Sequence, residues 1–279
     1  MLLVSHMAKH VEAKSTPYVR PVATMRRVSK TYRNGTIALS DVNLTIKRGE
    51  FVALLGPSGC GKSTALKIIA GLSKPSTGEV DWPSSRIDSR GRPEAGIGYV
   101  FQDPTLMPWA TIFGNVYLPL RLAGMSKRKA RERIMDALGS VGLNDFSEAY
   151  PRELSGGMKM RVSLARALVT QPKLLLMDEP FAALDEITRQ RLNDDVLSLS
   201  RAAGLTVVFV THSVFEAGYL ASRVVVMHSR PGRVAHELKV EAPWPRSQNY
   251  RLTEGFNRTC SEISRLMEGR AASAGVGDA

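Results

Sequence analysis

Three features predict an α/β fold with a helical insertion. Short apolar strands alternate with stretches of helical spacing. A glycine-rich loop joins one of those strands, Phe51–Leu55, to a helix. From Thr111 to about residue 170 the pattern is helical throughout, before strand and helix alternate again.

Residues 22–29 read as a first strand. A turn at Arg33-Asn34-Gly35 leads to a second strand at 42–46, and Lys47-Arg48-Gly49-Glu50 turns the chain into Phe51–Leu55. Residues 56–61 form the glycine-rich loop, and 62–72 have the spacing of a helix. A second loop at 91–96 precedes a short strand at 98–101. After the helical block come a strand at 173–177, a helix at 185–203, a strand at 205–210, a helix at 213–220 and a strand at 223–227. The stretch after Met227 has room for a strand pair and a packing helix. Residues 1–21, with no periodicity, read as a flexible basic arm, and 271–279 as a disordered tail. The folded unit is expected at 22–270.

Composition narrows the classes. Of 279 residues, 43% are hydrophobic and 23% charged, which excludes a mainly disordered chain. The formal charge of +12 points to a polyanionic partner: nucleic acid, nucleotide phosphates or an acidic membrane face. Residues 1–30 carry six bases and one acid, far more excess per residue than the body. No apolar run approaches the roughly 18–20 residues that span a bilayer, and no signal peptide is expected at the start. Cys60 and Cys260 make no disulfide framework, so a reducing compartment is expected.

Gly56-Pro57-Ser58-Gly59-Cys60-Gly61-Lys62-Ser63-Thr64 fits G-x-x-x-x-G-K-[ST] between a strand and a helix. Glycines let consecutive N–H groups turn inward on phosphates, and the helix start adds positive potential. Lys62 suits the β- and γ-phosphates and the Ser63 hydroxyl suits Mg²⁺. Cys60 reads as structurally neutral. The strand at 173–177 ends in Asp178 and Glu179. Beside a phosphate loop, Asp178 is the metal candidate, and Glu179 points differently, toward a water attacking the γ-phosphate.

Ser155-Gly156-Gly157 opens a further helix, either as an anion-binding start or as an N-cap without ligand. Two such helix starts with one full nucleotide motif suggest that two chains complete each other's sites. His212 ends the strand at 205–210, where such sheets bind ligands, and is assigned a γ-phosphate contact. Ser213 and Glu216 have capping-box spacing. Lys127-Arg128-Lys129 with Arg131 and Arg133 forms a dense basic segment, read as a solvated face or as a site for an acidic partner or lipid headgroups.

Together these residues resemble the ATP-binding subunit of ABC transporters over residues 22–234. The resemblance implies a P-loop cassette with a core α/β subdomain, an antiparallel β subdomain and a helical subdomain at about 103–170. It implies that Tyr32 stacks on adenine and that Gln102 senses Mg²⁺ and γ-phosphate and couples to the membrane subunit. Residues 154–158 would be the signature, acting on ATP of the opposite subunit. Glu179 would be the general base, Ala183-Leu184-Asp185 the D-loop and His212 the switch histidine. Met158 and Met160 stand where glutamines are common.

Phe181-Ala182-Ala183-Leu184-Asp185-Glu186, Val210-Thr211-His212-Ser213-Val214-Phe215-Glu216-Ala217 and Arg230-Pro231-Gly232-Arg233-Val234 are similar to the nitrate/sulfonate/taurine importer group, which also takes in bicarbonate and pyrimidine-precursor importers. That implies ATP and Mg²⁺, transmembrane permease subunits and a second ATPase subunit, with a homodimer expected. It also implies a periplasmic or lipid-anchored solute-binding protein, and a peripheral place on the cytoplasmic face of a bacterial inner membrane. The alternative is a soluble ATPase of the same family acting on nucleic acid or ribosomes. Gly56 and Leu154 lie too close for the long coiled-coil insertion of DNA-repair members, and one cassette differs from the usual two of translation-type members. No nucleic-acid partner is therefore expected.

Overall fold

A computed structural model of the chain describes residues 20–83, 85, 87, 93, 96–229, 231–242 and 246–269. The expected arm, up to residue 19, the tail at 271–279, most of the loop at 91–96 and Arg230 lie outside the described residues.

The core is a six-stranded sheet. Its order is β5 (Ile97–Val100), β6 (Leu174–Asp178), β7 (Thr206–Thr211), β3 (Phe51–Leu55), β8 (Arg223–His228) and β9 (Arg233–Lys239). The first five run parallel and β9 is antiparallel. Strands β3, β6 and β7 are buried at every position, which explains their unbroken apolar runs. A second, antiparallel sheet of order β2-β1-β4 is formed by β1 (Pro21–Thr31), β2 (Ile37–Lys47) and β4 (Thr77–Asp81). Its β1 and β2 each run 11 residues, longer than the sequence predicts, and break register around Arg27 and Asp41.

Helix α1 (Lys62–Ile69) ends short of the predicted residue 72, because Gly71 takes a left-handed φ of 70°. The helical block holds α2 (Ile112–Leu122), α3 (Lys127–Ser140) and α4 (Gly156–Leu168). Buried Asn115 ties the loop before α2 to that helix: its Oδ1 accepts from Met107 N, and its amide donates to the carbonyls of Met107, Ala110 and Thr111. The basic segment lies along α3. Arg133 is half-buried, and Lys127 and Arg131 cover the Phe113 ring. Helices α5 (Glu186–Ala202), α6 (Val214–Leu220) and α7 (Glu254–Met267) complete the fold. Among the described residues, the stretch after Met227 supplies β9, paired with β8, and α7. Among the described residues no helix is long and apolar enough to cross a membrane.

Gly232 clips three segments together. It exchanges backbone hydrogen bonds with Ala38 (3.1 Å) and Ser40 (2.9 Å), and a Cβ there would overlap the Cys60 carbonyl oxygen and lie 2.7 Å from that of Ala38. Neither backbone carbonyl can swing aside as a side chain would. Gly232→Ala is expected to cost about 3 kcal/mol and lower the thermal midpoint by roughly 10 °C, read by calorimetry.

Candidate active site

In a parallel sheet the carboxyl ends of neighbouring strands share one edge. The register pairs Leu55 with Thr211 and Asp178 with Val210. That edge therefore gathers the loop after β3, the acids closing β6 and the His212 turn after β7.

The loop after β3 has an exposed crest at Pro57, Ser58 and Gly59, while Gly56 and Cys60 are buried. Gly61 is the N-cap of α1 with φ 94°, and a Cβ there would lie 2.6 Å from both Ala38 O and Leu39 Cδ2. No side chain caps this helix start, so its first N–H groups remain available to an anion. Burial pushes the Cys60 thiol up, outweighing the pull of Lys62, which fits a neutral packing role.

Lys62 is buried. Its ammonium folds back on the loop, donating to Gly56 O (2.8 Å) and Pro57 O (3.0 Å) and lying 3.6 Å from Glu179 Oε1. Ser63 Oγ donates to Asp178 Oδ1 at 2.7 Å, and the Tyr99 hydroxyl donates to Asp178 Oδ2 at 3.2 Å. Burial first, and the Asp178 carboxylate second, push the Tyr99 phenol far up, so it stays a donor. One carboxylate and one hydroxyl, both hard oxygen donors, fit Mg²⁺, which keeps several waters and shares phosphate oxygens.

Glu179 stands in a left-handed backbone at φ 46°, which costs a non-glycine residue energy and is held by its N–H to Val210 O. Its other carboxylate oxygen is 3.4 Å from His212 Nδ1. A largely buried carboxylate thus lies between a buried ammonium and a half-exposed imidazole. Tyr32 is exposed, with its hydroxyl 3.1 Å from Thr64 Oγ1.

Other predicted residues stand apart from this cluster. Ser155 caps α4, its Oγ accepting from Met158 N, and Gly157 packs against Thr188 of α5. Among the described residues no hydrogen bond or ion pair joins Ser155, Gly156 or Gly157 to the phosphate loop. Met160 is buried in the core and Met158 packs against it. Asp185 caps α5, and the Thr188 N–H it accepts holds its carboxyl below the usual range. Gln102 is exposed just beyond β5.

The capping box at Ser213 is only half formed. Ser213 Oγ accepts from Glu216 N (3.3 Å), but the Glu216 carboxylate takes the Thr211 hydroxyl instead of reaching back, and Thr211 Oγ1 accepts from Ser213 N. Buried Glu216 thereby braces the turn that carries His212, with its own carboxyl pushed up by burial. Sequence patterning singled out neither this brace nor Tyr99. The position of Tyr99, in a strand paired to the one bearing Asp178, was the available signal.

The sequence profile described as ABC transporter matches residues 39–182. An ATP-binding protein of Brucella abortus is 47% identical over 85% of this chain and 90% of its own length. The nitrate import ATP-binding protein NrtD of Synechocystis is 41% identical, covering 89% of this chain and 95% of the relative. Among solved structures, the dimeric post-hydrolysis state of the ATP-binding cassette MJ0796 with ADP and Pi superposes with a TM-score of 0.69 at 37% identity. It covers 79% of this chain and all of that one.

Proposed function

The chain belongs to the ABC transporter family, as an ATP-binding subunit that hydrolyses ATP, and on that premise we propose how its residues drive import of a small solute. The observation that carries this reading is the cluster of Lys62, Glu179 and His212 beside the Ser63–Asp178 pair, at the mouth of an uncapped helix start.

ATP lies on the loop of residues 56–64 with its adenine against Tyr32. Lys62 leaves the Gly56 and Pro57 carbonyls for the phosphates, exchanging two neutral acceptors for anionic ones. Ser63 and Asp178, with Gln102 assigned beside them, would hold Mg²⁺, which would supply positive charge to the phosphates. Glu179 takes the proton of the attacking water, and His212 holds the γ-phosphate end and the Glu179 carboxylate in place. The start of α4, with Ser155 and Gly156 exposed and Gly157 buried behind them, serves the ATP of a second copy, and Asp185 lies at the same junction. That no hydrogen bond or ion pair among the described residues joins Ser155, Gly156 or Gly157 to the phosphate loop supports that division of labour.

The helical block carries the permease contact, since Gln102 leads into it and its Trp109 and Leu122 are exposed. The subunit then works at the cytoplasmic face of the membrane, bound through the permease. A separate binding protein delivers the solute. The nitrate-importing relative and the importer-group motifs support a nitrate/sulfonate/taurine-type or pyrimidine-precursor-type cargo.

Purified protein is expected to hydrolyse ATP with a rate per chain that rises with protein concentration, and to ignore added DNA or RNA. Several-fold stimulation by nucleic acid would favour the soluble alternative.

A further inference from the structure

The Ser63–Asp178 pair is the metal candidate, but Asp178 has two oxygens and Ser63 meets only one. The second, Oδ2, accepts from the Tyr99 hydroxyl at 3.2 Å. Tyr99 lies on β5, and Asp178 ends the neighbouring parallel strand β6. Their register pairs Tyr99 with Leu176, two residues before Asp178 and on the same face of the sheet. A phenol is long enough to bridge that diagonal. The ring is held from the other side by Phe101, with centroids 4.3 Å apart at 38°. The hydroxyl is thus delivered by a half-buried strand residue whose ring has a packing partner.

We propose that Tyr99 is a positioning residue for the metal: its hydroxyl fixes the Asp178 carboxylate so that Oδ1, beside Ser63, faces the cation. Without that donor the carboxylate rotates about its terminal torsion and either oxygen can turn away. Partners of this kind around a ligating group are typically worth about 10–100-fold in metal affinity. The inference rests on the proposed role of Asp178 and goes beyond it, because it assigns the orientation of that carboxylate to a residue outside the Ser63–Asp178 pair. It also makes β5 a physical link: the strand that orients the metal ligand runs directly into Gln102.

Tyr99→Phe removes one oxygen and keeps the ring on Phe101. The test is equilibrium binding of a fluorescent ATP analogue, first in EDTA and then titrated with Mg²⁺, for wild type, Tyr99→Phe and Asp178→Asn. The expected result for Tyr99→Phe is unchanged metal-free affinity with the Mg²⁺ midpoint raised about 10–100-fold. Asp178→Asn should abolish the Mg²⁺ response altogether. An unchanged midpoint in Tyr99→Phe, with the response lost in Asp178→Asn, overturns the role of Tyr99 alone. Equal weakening with and without metal also overturns it, since that marks a general packing defect. A normal Mg²⁺ response in Asp178→Asn overturns the metal assignment and the inference with it.

Discussion

Glu179→Gln is expected to cut steady-state ATP hydrolysis by about 10²–10⁴-fold, the usual worth of a general base, while nucleotide affinity stays within a few-fold of wild type. Glutamine keeps the size and the acceptor oxygen that faces His212, so the 3.4 Å contact survives in some form. It loses the basicity. The charge change also frees Lys62, whose ammonium lies 3.6 Å from the Glu179 carboxylate. One of the interactions competing with the phosphates for that lysine is removed, so binding should hold or tighten. The left-handed backbone at residue 179 is imposed by the strand end and its bond to Val210, and is as accessible to Gln as to Glu. Phosphate release alongside binding of a fluorescent ATP analogue separates the two effects. Near-normal turnover would remove Glu179 from the base role.

The parts of the site visible in the sequence are those whose chemistry depends on close spacing. Glycines at 56, 59 and 61 after an all-buried strand have few other uses, and two acids closing a second such strand must reach the same edge once the sheet is parallel. The strands that the sequence does not place, β4, which it gives no sign of, and β9, expected only as part of a strand pair after Met227, lie at sheet edges. Their residues, Thr77–Asp81 and Arg233–Lys239, are mostly exposed or half-buried and carry no apolar run to read. Thr211 and Glu216 were hidden for another reason. The spacing of Ser213 and Glu216 is correct for a capping box, but a buried hydroxyl two residues before the cap competes for the same carboxylate and wins. Spacing identifies a candidate donor and acceptor; only packing decides which of two acceptable partners is nearer. The same limit applies to charge. An overall +12 suggested a polyanion, whereas the cation best placed for one, Lys62, is a single buried residue whose position depends on a loop.

Lys62→Ala should produce the larger loss in binding, at least about 30-fold in ATP affinity, since truncating one partner of a buried charged contact costs roughly 2–5 kcal/mol. The ammonium donates to two loop carbonyls and lies beside one carboxylate. Its removal therefore has two consequences with different signatures. In the free protein, Glu179 loses its nearest cation and turns further toward His212, a local effect that leaves the fold intact because the α1 backbone and the Gly61 turn do not depend on the side chain. In the nucleotide complex, the phosphates lose the buried cation of this loop, and Lys30 is already engaged over the Tyr32 ring and with the Lys74 carbonyl. Lys62→Met separates charge from packing, because it retains most of the aliphatic stem. If both variants melt within a few degrees of wild type and both bind ATP at least about 30-fold more weakly, the loss belongs to the charge. If Lys62→Met binds normally, the stem rather than the ammonium holds the loop, and the phosphate assignment of Lys62 falls.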